Sequence, residues 1–314
     1  MSVGRTQNVV CVTGASSQLG VFLLPRLRIA GFRVQALSRS APLRPLEVAP
    51  GVTWMNTGFL ADGERRDQVL RQPSPDYLVS CAPLELALRL VLRHPGLQRV
   101  VAFSSSSVLS KADSADRFER RLMASMAHDE EALVAACAER GIPLLLLRPT
   151  LIYGCGMDRN VSRLAEMARR HGLIPLAGTA SGLRQPVHAD DLAALAVSAL
   201  QASPALDTAS PACGGSTLAY REMAERIAAT VARRVRLLSL PQGLMVALVR
   251  TRVLLKGARG VNAEMVRRQN RDLVFDDKAL RQALGWSPRP FQPTPADFEV
   301  PEHARTLQLP DPRP

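Results

Sequence analysis

NVVCVTGASSQLG (residues 8–20) carries an apolar run directly into a loop bounded by Gly14 and Gly20, and a helical-period segment follows it. Gly14 permits a tight turn at the strand's end, and Gly20 lets the helix lie close against the strand. The first turn of that helix presents backbone N–H groups that no intrahelical carbonyl can satisfy, which suits a pyrophosphate. Ser17 stands where the usual pattern has a middle glycine, and its small side chain still allows close approach. The loop thus predicts a dinucleotide site formed by Thr13, Gly14, Ser16, Ser17, Gln18, Leu19 and Gly20.

Outward from the loop, five further apolar runs read as strands: FRVQALSR (32–39), VTWMN (52–56), DYLVSCA (76–82), RVVAFSS (99–105) and PLLLLRP (143–149). Helical segments at 18–31, 63–72, 85–94 and 116–140 separate most of them. Strands rich in Val, Leu and Ile that alternate with helices imply a parallel sheet covered on both faces. The fold class is therefore α/β, a Rossmann-type doubly wound parallel sheet. Pro25, beyond the first turn of its helix, is expected to kink it.

After residue 150 the pattern changes to helical segments near 162–171, 189–202, 217–232, 244–255 and 278–284, around short strands VRLLSL (235–240) and DLVF (272–275). They predict a small, mainly helical C-terminal substrate domain. The expected division is 1–155 with parts of 183–205 for the nucleotide-binding domain, and 156–182 with 206–314 for the substrate domain. The proline-rich tail from Ser287 reads as extended.

Composition narrows the function classes. The 314 residues carry a net charge of +12, yet the basic residues are nearly all arginine, with lysine only at 111, 256 and 278. They lie along the whole chain without the interleaved aromatics that stack on single strands, so nucleic acid is not the expected partner. Cys11, Cys81, Cys137, Cys155 and Cys213 are scattered, without metal-ligand spacing. They read as buried thiols of a cytoplasmic protein that holds no metal. No run of apolar residues is long enough to span a bilayer, and no export signal is evident.

The end of the second strand bears on the choice of cofactor. A carboxylate about 20 residues past the loop would bind the ribose 2′-hydroxyl of NAD. Here that position reads Ser38-Arg39, with Ser40 and Arg44 close by, a set that suits a 2′-phosphate. NADP(H) is therefore expected over NAD(H).

TGASSQLG, AFSSSSVL (102–109), LLRPTLIYG (146–154), GLRQPVHADDLA (182–193) and ALGWSPRPF (283–291) occur in the order and spacing of a known family. The chain resembles the extended short-chain dehydrogenase/reductases, specifically the NAD(P)-dependent epimerase/dehydratase branch, from about residue 8 to 291. The resemblance implies cofactor contacts from Cys81, Ala82, Pro83 and Pro149 as well. An acidic residue that often holds the adenine is replaced in Gly58-Phe59-Leu60.

The resemblance also implies a Ser/Thr, Tyr and Lys set, the last two four apart on one helix so that they share a face. Counting back from Arg148 by the family's spacing puts the lysine at 126 and the tyrosine at 122, where this chain has Met126 and Leu122. Leu122 and Met126 continue onto Leu133 and Cys137 at helical spacing, which predicts an ordinary packing stripe. Ser105 or Ser106 at the fifth strand's end, and Tyr153 after the sixth, are the candidates left for catalysis; His128 should point away.

On the substrate side, Arg184 matches a position that binds the diphosphate of nucleotide sugars in such enzymes, and Arg268 or Arg271 stands near a second. His188 is expected to be buried and Asp191 to cap the following helix. Segment 244–271 joins an apolar face to Arg250, Arg252, Lys256, Arg259, Arg267 and Arg268, and could rest on an anionic membrane surface. Two functions stay open: an NADP(H)-dependent oxidoreductase or epimerase with a modified proton path, acting on a nucleotide sugar or similar polar metabolite, and a non-catalytic NADP(H)-binding sensor or assembly protein. The resemblance further implies pairing through two long helices, hence a homodimer.

Overall fold

The computed structural model describes residues 8–38, 51–56, 74–202, 209–256 and 262–301, with the side chains of 56 and 252–256 left aside. Its centre is a parallel sheet whose first six strands are β1 (Val9–Thr13), β2 (Arg33–Ser38), β3 (Val52–Asn56), β4 (Tyr77–Ser80), β5 (Arg99–Phe103) and β6 (Leu144–Pro149). The spatial order is β3-β2-β1-β4-β5-β6, and Ser210–Ala212 adds a seventh strand beside β6. The six predicted strands all form. The seventh is three residues long and includes Pro211, too short to leave a periodic signal.

Each strand feeds two cores because successive side chains point to opposite faces. Leu145 and Leu147 of β6 join Val10, Val12, Val101 and Phe103 on one face. Leu144 and Leu146 join Cys11, Val100 and Ala102 on the other. The first face is covered by α1 (Gly20–Ile29) together with the helix Ala189–Gln201. The second is covered by α2 (Leu84–Arg93) and the second half of the long helix Arg117–Glu139. Pro25 sits inside α1 without ending it.

In chain order the remaining helices are the single turn α3 (Ser107–Ser110), α4 (Arg117–Glu139), α5 (Val161–His171), α6 (Ala189–Gln201), α7 (Tyr220–Ala229), α8 (Gln242–Lys256), α9 (Ala263–Arg268) and α10 (Lys278–Leu284). A third core gathers Leu164 of α5, Ile174 and Leu176 of the strand Leu173–Ala177, Met223 and Ile227 of α7, and Phe291 and Phe298 of the tail. Only two-stranded ladders occur there among the described residues, including Leu173–Ala177 with Arg236–Leu240.

Three expectations need correction. Segment 272–275 is not a strand: Leu273 N–H donates to the Leu183 carbonyl at 3.0 Å, but side chains take the flanking bonds, Leu183 N–H to the Asp272 carboxylate and Phe275 N–H to Gln185 Oε1, so no ladder continues. The tail is not simply extended, since Phe291 is fully buried and Pro295–Phe298 forms a 3-10 turn. Asp191 does not cap α6. His188 does, with Nδ1 accepting from Asp190 N–H at 3.0 Å, while Asp191 holds the Arg289 guanidinium at 2.8 Å. The predicted helix at 63–72 lies outside the described residues.

Candidate active site

The strand order reverses between β1 and β4, so the crevice at their carboxyl ends is where a ligand of this fold class sits. Gly14 has φ +65°, and a Cβ there would lie 2.5 Å from the Cys81 carbonyl oxygen. A Cβ on Gly20 would lie 2.1 Å from the Ala15 carbonyl oxygen. Both glycines are therefore required by close backbone approach. Ser17 N–H closes the turn onto the Gly14 carbonyl at 2.8 Å, and Ser17 Oγ accepts from Gly20 N–H at 3.2 Å. The N–H groups of Ser16, Gln18 and Leu19 bond to nothing within the described residues. Gln18 Oε1 is likewise buried without a partner.

The side chains sort the predicted cofactor set. Thr13 is fully buried and its hydroxyl meets Ser80 Oγ at 2.9 Å, so it ties the end of β1 to the paired end of β4. Ser38 is buried and shares a 2.6 Å hydrogen bond with Ser16 Oγ, tying the loop to β2. Leu19 is core; only its backbone faces the loop. The Cys81 thiol is pushed up to about 12 by burial and is neutral at physiological pH. Ala82 and Pro83 continue past β4, and Pro149 ends β6 at the same sheet edge. Arg39, Ser40 and Arg44, which carry the expectation of NADP(H), lie outside the described residues, as do Gly58-Phe59-Leu60.

At the end of β5 the serines take different parts. Ser105 Oγ accepts from Ser107 N–H at 3.1 Å in the turn that leads into α3. The Ser106 N–H donates to the Pro149 carbonyl at 3.0 Å, which fixes it beside β6, while its hydroxyl makes no hydrogen bond among the described residues. Ser104 Oγ is buried and unpartnered just before them. Lys111 closes the turn that Ser106 opens. Its ammonium is half-buried without an ion-pair partner among the described residues, and desolvation followed by repulsion from Arg268 lowers its pKa. Tyr153, in contrast, is 2 % exposed and packed edge-on against His188 and Phe291 at 5.0 and 4.9 Å. Burial raises its pKa further, so Tyr153 is a core residue and presents no face to a substrate.

The long helix α4 splits its predicted stripe. Leu133 and Cys137 are buried against α2, but Leu122 is 45 % exposed and Met126 only half-buried. The buried set is instead Met123, Glu130, Leu133, Ala136 and Cys137. Cover from α2 reaches the second half of α4 only, so Leu122 and Met126 stand on an uncovered part of the helix. His128 is exposed, as expected. Glu130, 3 % exposed, receives Arg148 of β6 through both carboxylate oxygens, locking α4 to the sheet.

The expected anion-binding arginines are turned inward. Arg184 is 6 % exposed and donates to the carbonyls of Leu183 at 2.7 Å and Arg271 at 2.8 Å, and also to Arg268 O. It lies 5.4 Å from the centre of the Tyr220 ring, and burial brings its pKa down to about 10. Arg184 therefore braces the backbone around residues 268 and 271 in this structure. Arg268 forms a two-pronged pair with Glu119 of α4, both bonds at 2.8 Å. Burial alone would raise the Glu119 pKa, but hydrogen bonds from Arg268 and Ser114 hold it down at about 2.

A depressed carboxylate stabilises above its unfolded pKa and loses that contribution as pH falls through the folded one. Glu119 thus contributes stability that is fully present above about pH 4.5 and fades as pH falls toward about 2. Glu119→Gln is expected to remove this contribution at neutral pH and to flatten stability against pH across that window, as read from urea unfolding at a series of pH values.

With this geometry established, the family follows from the match of residues 10–209 to the model of the NAD dependent epimerase/dehydratase family. The chain belongs to that family. Its fold is shared by solved structures of low identity. One is an epimerase from Methanothermobacter thermautotrophicus, 19% identical with a TM-score of 0.68, the match covering 96% of this chain and 92% of that one. Another is the dTDP-glucose 4,6-dehydratase of Bacillus anthracis in complex with NAD, 14% identical with a TM-score of 0.65, covering 96% of each chain. A third is the UDP-glucose 4-epimerase of Thermotoga maritima with UDP-glucose, 13% identical with a TM-score of 0.65, covering 96% of this chain and 98% of that one. No curated protein matches the sequence.

Within this epimerase/dehydratase family member, two residues escaped the sequence reading. Lys111 had one available signal, a rare lysine in an arginine-dominated chain six residues after Ser105. Tyr220 had none; its place against Arg184 depends on the antiparallel pairing of Leu183–Arg184 with Leu218–Ala219, which only the fold creates.

Proposed function

We propose that this chain is a nicotinamide-dinucleotide-dependent oxidoreductase or epimerase of the NAD dependent epimerase/dehydratase family, with a proton path unlike the family's usual one. The observation that carries the reading is the loop at Gly14–Gly20, where two positions that leave no room for a Cβ adjoin three backbone N–H groups with no hydrogen bond among the described residues. Residues Gly14 to Gly20 fit a pyrophosphate, with Cys81, Ala82, Pro83 and Pro149 along the same sheet edge. When bound, the dinucleotide would supply hydride acceptance or donation. NADP(H) is the favoured form on the strength of Ser38-Arg39 in the sequence.

The chain's own contribution is position and proton handling. Ser106 offers a substrate oxygen a hydroxyl that makes no hydrogen bond among the described residues, and Lys111 offers an ammonium whose lowered pKa eases proton release. Leu122 and Met126, on the uncovered half of α4, would exclude water beside the substrate. The substrate is a small polar carbonyl or alcohol. The nucleotide-sugar version of this reading draws on the named neighbours, whereas the inward commitment of Arg184 and Arg268 favours a substrate without a diphosphate.

Single-turnover oxidation of bound NADPH across a panel of carbonyl compounds, nucleotide 4-ketosugars included, tests the proposal. Ser106→Ala and Lys111→Met should each slow the reaction by about 10²–10⁴-fold, while Ser105→Ala should act mainly through the turn that leads into α3. Absence of oxidation with every carbonyl would favour a second reading, a non-catalytic sensor or assembly protein, which the apolar pair Leu122 and Met126 supports. In that case Leu122→Tyr with Met126→Lys would create activity where none existed.

A further inference from the structure

Helix α8 (Gln242–Lys256) is apolar around its circumference, with Leu244, Met245, Val246, Ala247, Leu248 and Val249 in succession. Such a helix is ordinarily enclosed in a core or in lipid. Here none of its described side chains is buried: Leu244 is 49% exposed and Leu248 54%. They stand one helical turn apart, so they form one outward stripe with Ala247 and Thr251. The preceding strand, Arg236–Leu240, adds Leu238 at 44%. Single exposed leucines are normal, but three on consecutive elements form a surface.

The segment's own charge has one sign. From 231 to 256 the sequence holds no aspartate or glutamate, but Arg233, Arg234, Arg236, Arg250, Arg252 and Lys256. Arg233, Arg234, Arg236 and Arg250 are exposed. Arg233 reaches across to the Arg169 carbonyl at 3.1 Å, so the exposed Arg169 gathers at the same end of the Leu173–Ala177 ladder. The strand carries the surface from this basic end to α8.

We infer that α8 and the strand Arg236–Leu240 dock the protein peripherally on an anionic lipid bilayer. An apolar stripe one or two side chains deep can enter the acyl boundary, while flanking arginines meet lipid phosphates and carboxylates. The one-sided charge selects this occupant. A second copy apposed through the same face would bring like charges together. Nucleic acid would use the arginines but leave Leu238, Leu244 and Leu248 in water, with no aromatic to stack on a base. Among the described residues no helix is long and apolar enough to cross a membrane, so the contact is peripheral. The inference is independent of the proposed catalysis.

Co-sedimentation of the full chain with two vesicle preparations tests it, one of phosphatidylcholine alone and one of phosphatidylcholine mixed with phosphatidylserine. The expected result is binding to the mixed vesicles only, weakened at high salt. Leu244→Glu with Leu248→Glu should reduce binding at least about tenfold while dinucleotide affinity stays unchanged, which reports an intact fold. Arg233→Gln with Arg236→Gln, which leaves the stripe alone, should weaken binding and its salt dependence together. No binding to mixed vesicles overturns the inference, and so does equal binding by the Glu variant, which would mean charge alone. A wild-type dimer dispersed by that variant, without vesicle binding, would assign the surface to self-association.

Discussion

Gly20→Ala is expected to weaken dinucleotide binding by about 10²–10⁴-fold, the equivalent of two charge-assisted hydrogen bonds. The added Cβ would stand 2.1 Å from the Ala15 carbonyl oxygen, a backbone atom that cannot swing aside. The loop or the start of α1 must then move, and the N–H groups of Ser16, Gln18 and Leu19 lose their common aim. Gly14→Ala should act similarly, since it combines φ +65° with a 2.5 Å contact to Cys81 O. Gly96→Ala is the control: nothing lies within 4 Å of its Cβ position, and affinity should not change. Calorimetric titration with NADPH and NADH measures all three, with circular dichroism to confirm that each variant folds.

The largest expected loss of stability comes from Glu130→Ala, about 3–5 kcal/mol. Glu130 is 3 % exposed and takes both prongs of Arg148, so its removal leaves a guanidinium in the protein interior without its counter-charge. The pair also joins α4 to β6, and the loss should appear in the urea midpoint of the whole chain. Glu130→Gln should recover part of it, because the amide oxygen can still accept from Arg148. Replacing both partners with apolar residues of similar volume should cost far less than either single change, since neither leaves a buried charge behind.

The sheet was legible in sequence because parallel strands buried on both faces must be apolar throughout, as LLLL (144–147) is, and because helices of strong period separate them. The cradle was legible because Gly14 and Gly20 answer to backbone contacts set by the strand–loop–helix geometry itself. The roles of Ser105 and Ser106 were not separable, since the distinction lies in which hydroxyl bonds within the turn that leads into α3. Leu122 read as packed because periodicity marks an apolar stripe but not how far its cover extends. The inward partners of Arg184 and Arg268 were not legible for a related reason. A guanidinium's partners are set by tertiary contact with Glu119 and the carbonyls of 268 and 271, which leave no local pattern.

The account depends on a dinucleotide cradle set beside a helix that lacks the usual proton-transfer pair. Isothermal titration of the unmodified chain with NADPH and with NADH tests it most directly. Saturable one-to-one binding is expected, tighter for NADPH, and strongly weakened by Gly20→Ala. No detectable binding of either nucleotide by the folded protein would contradict the account at its base.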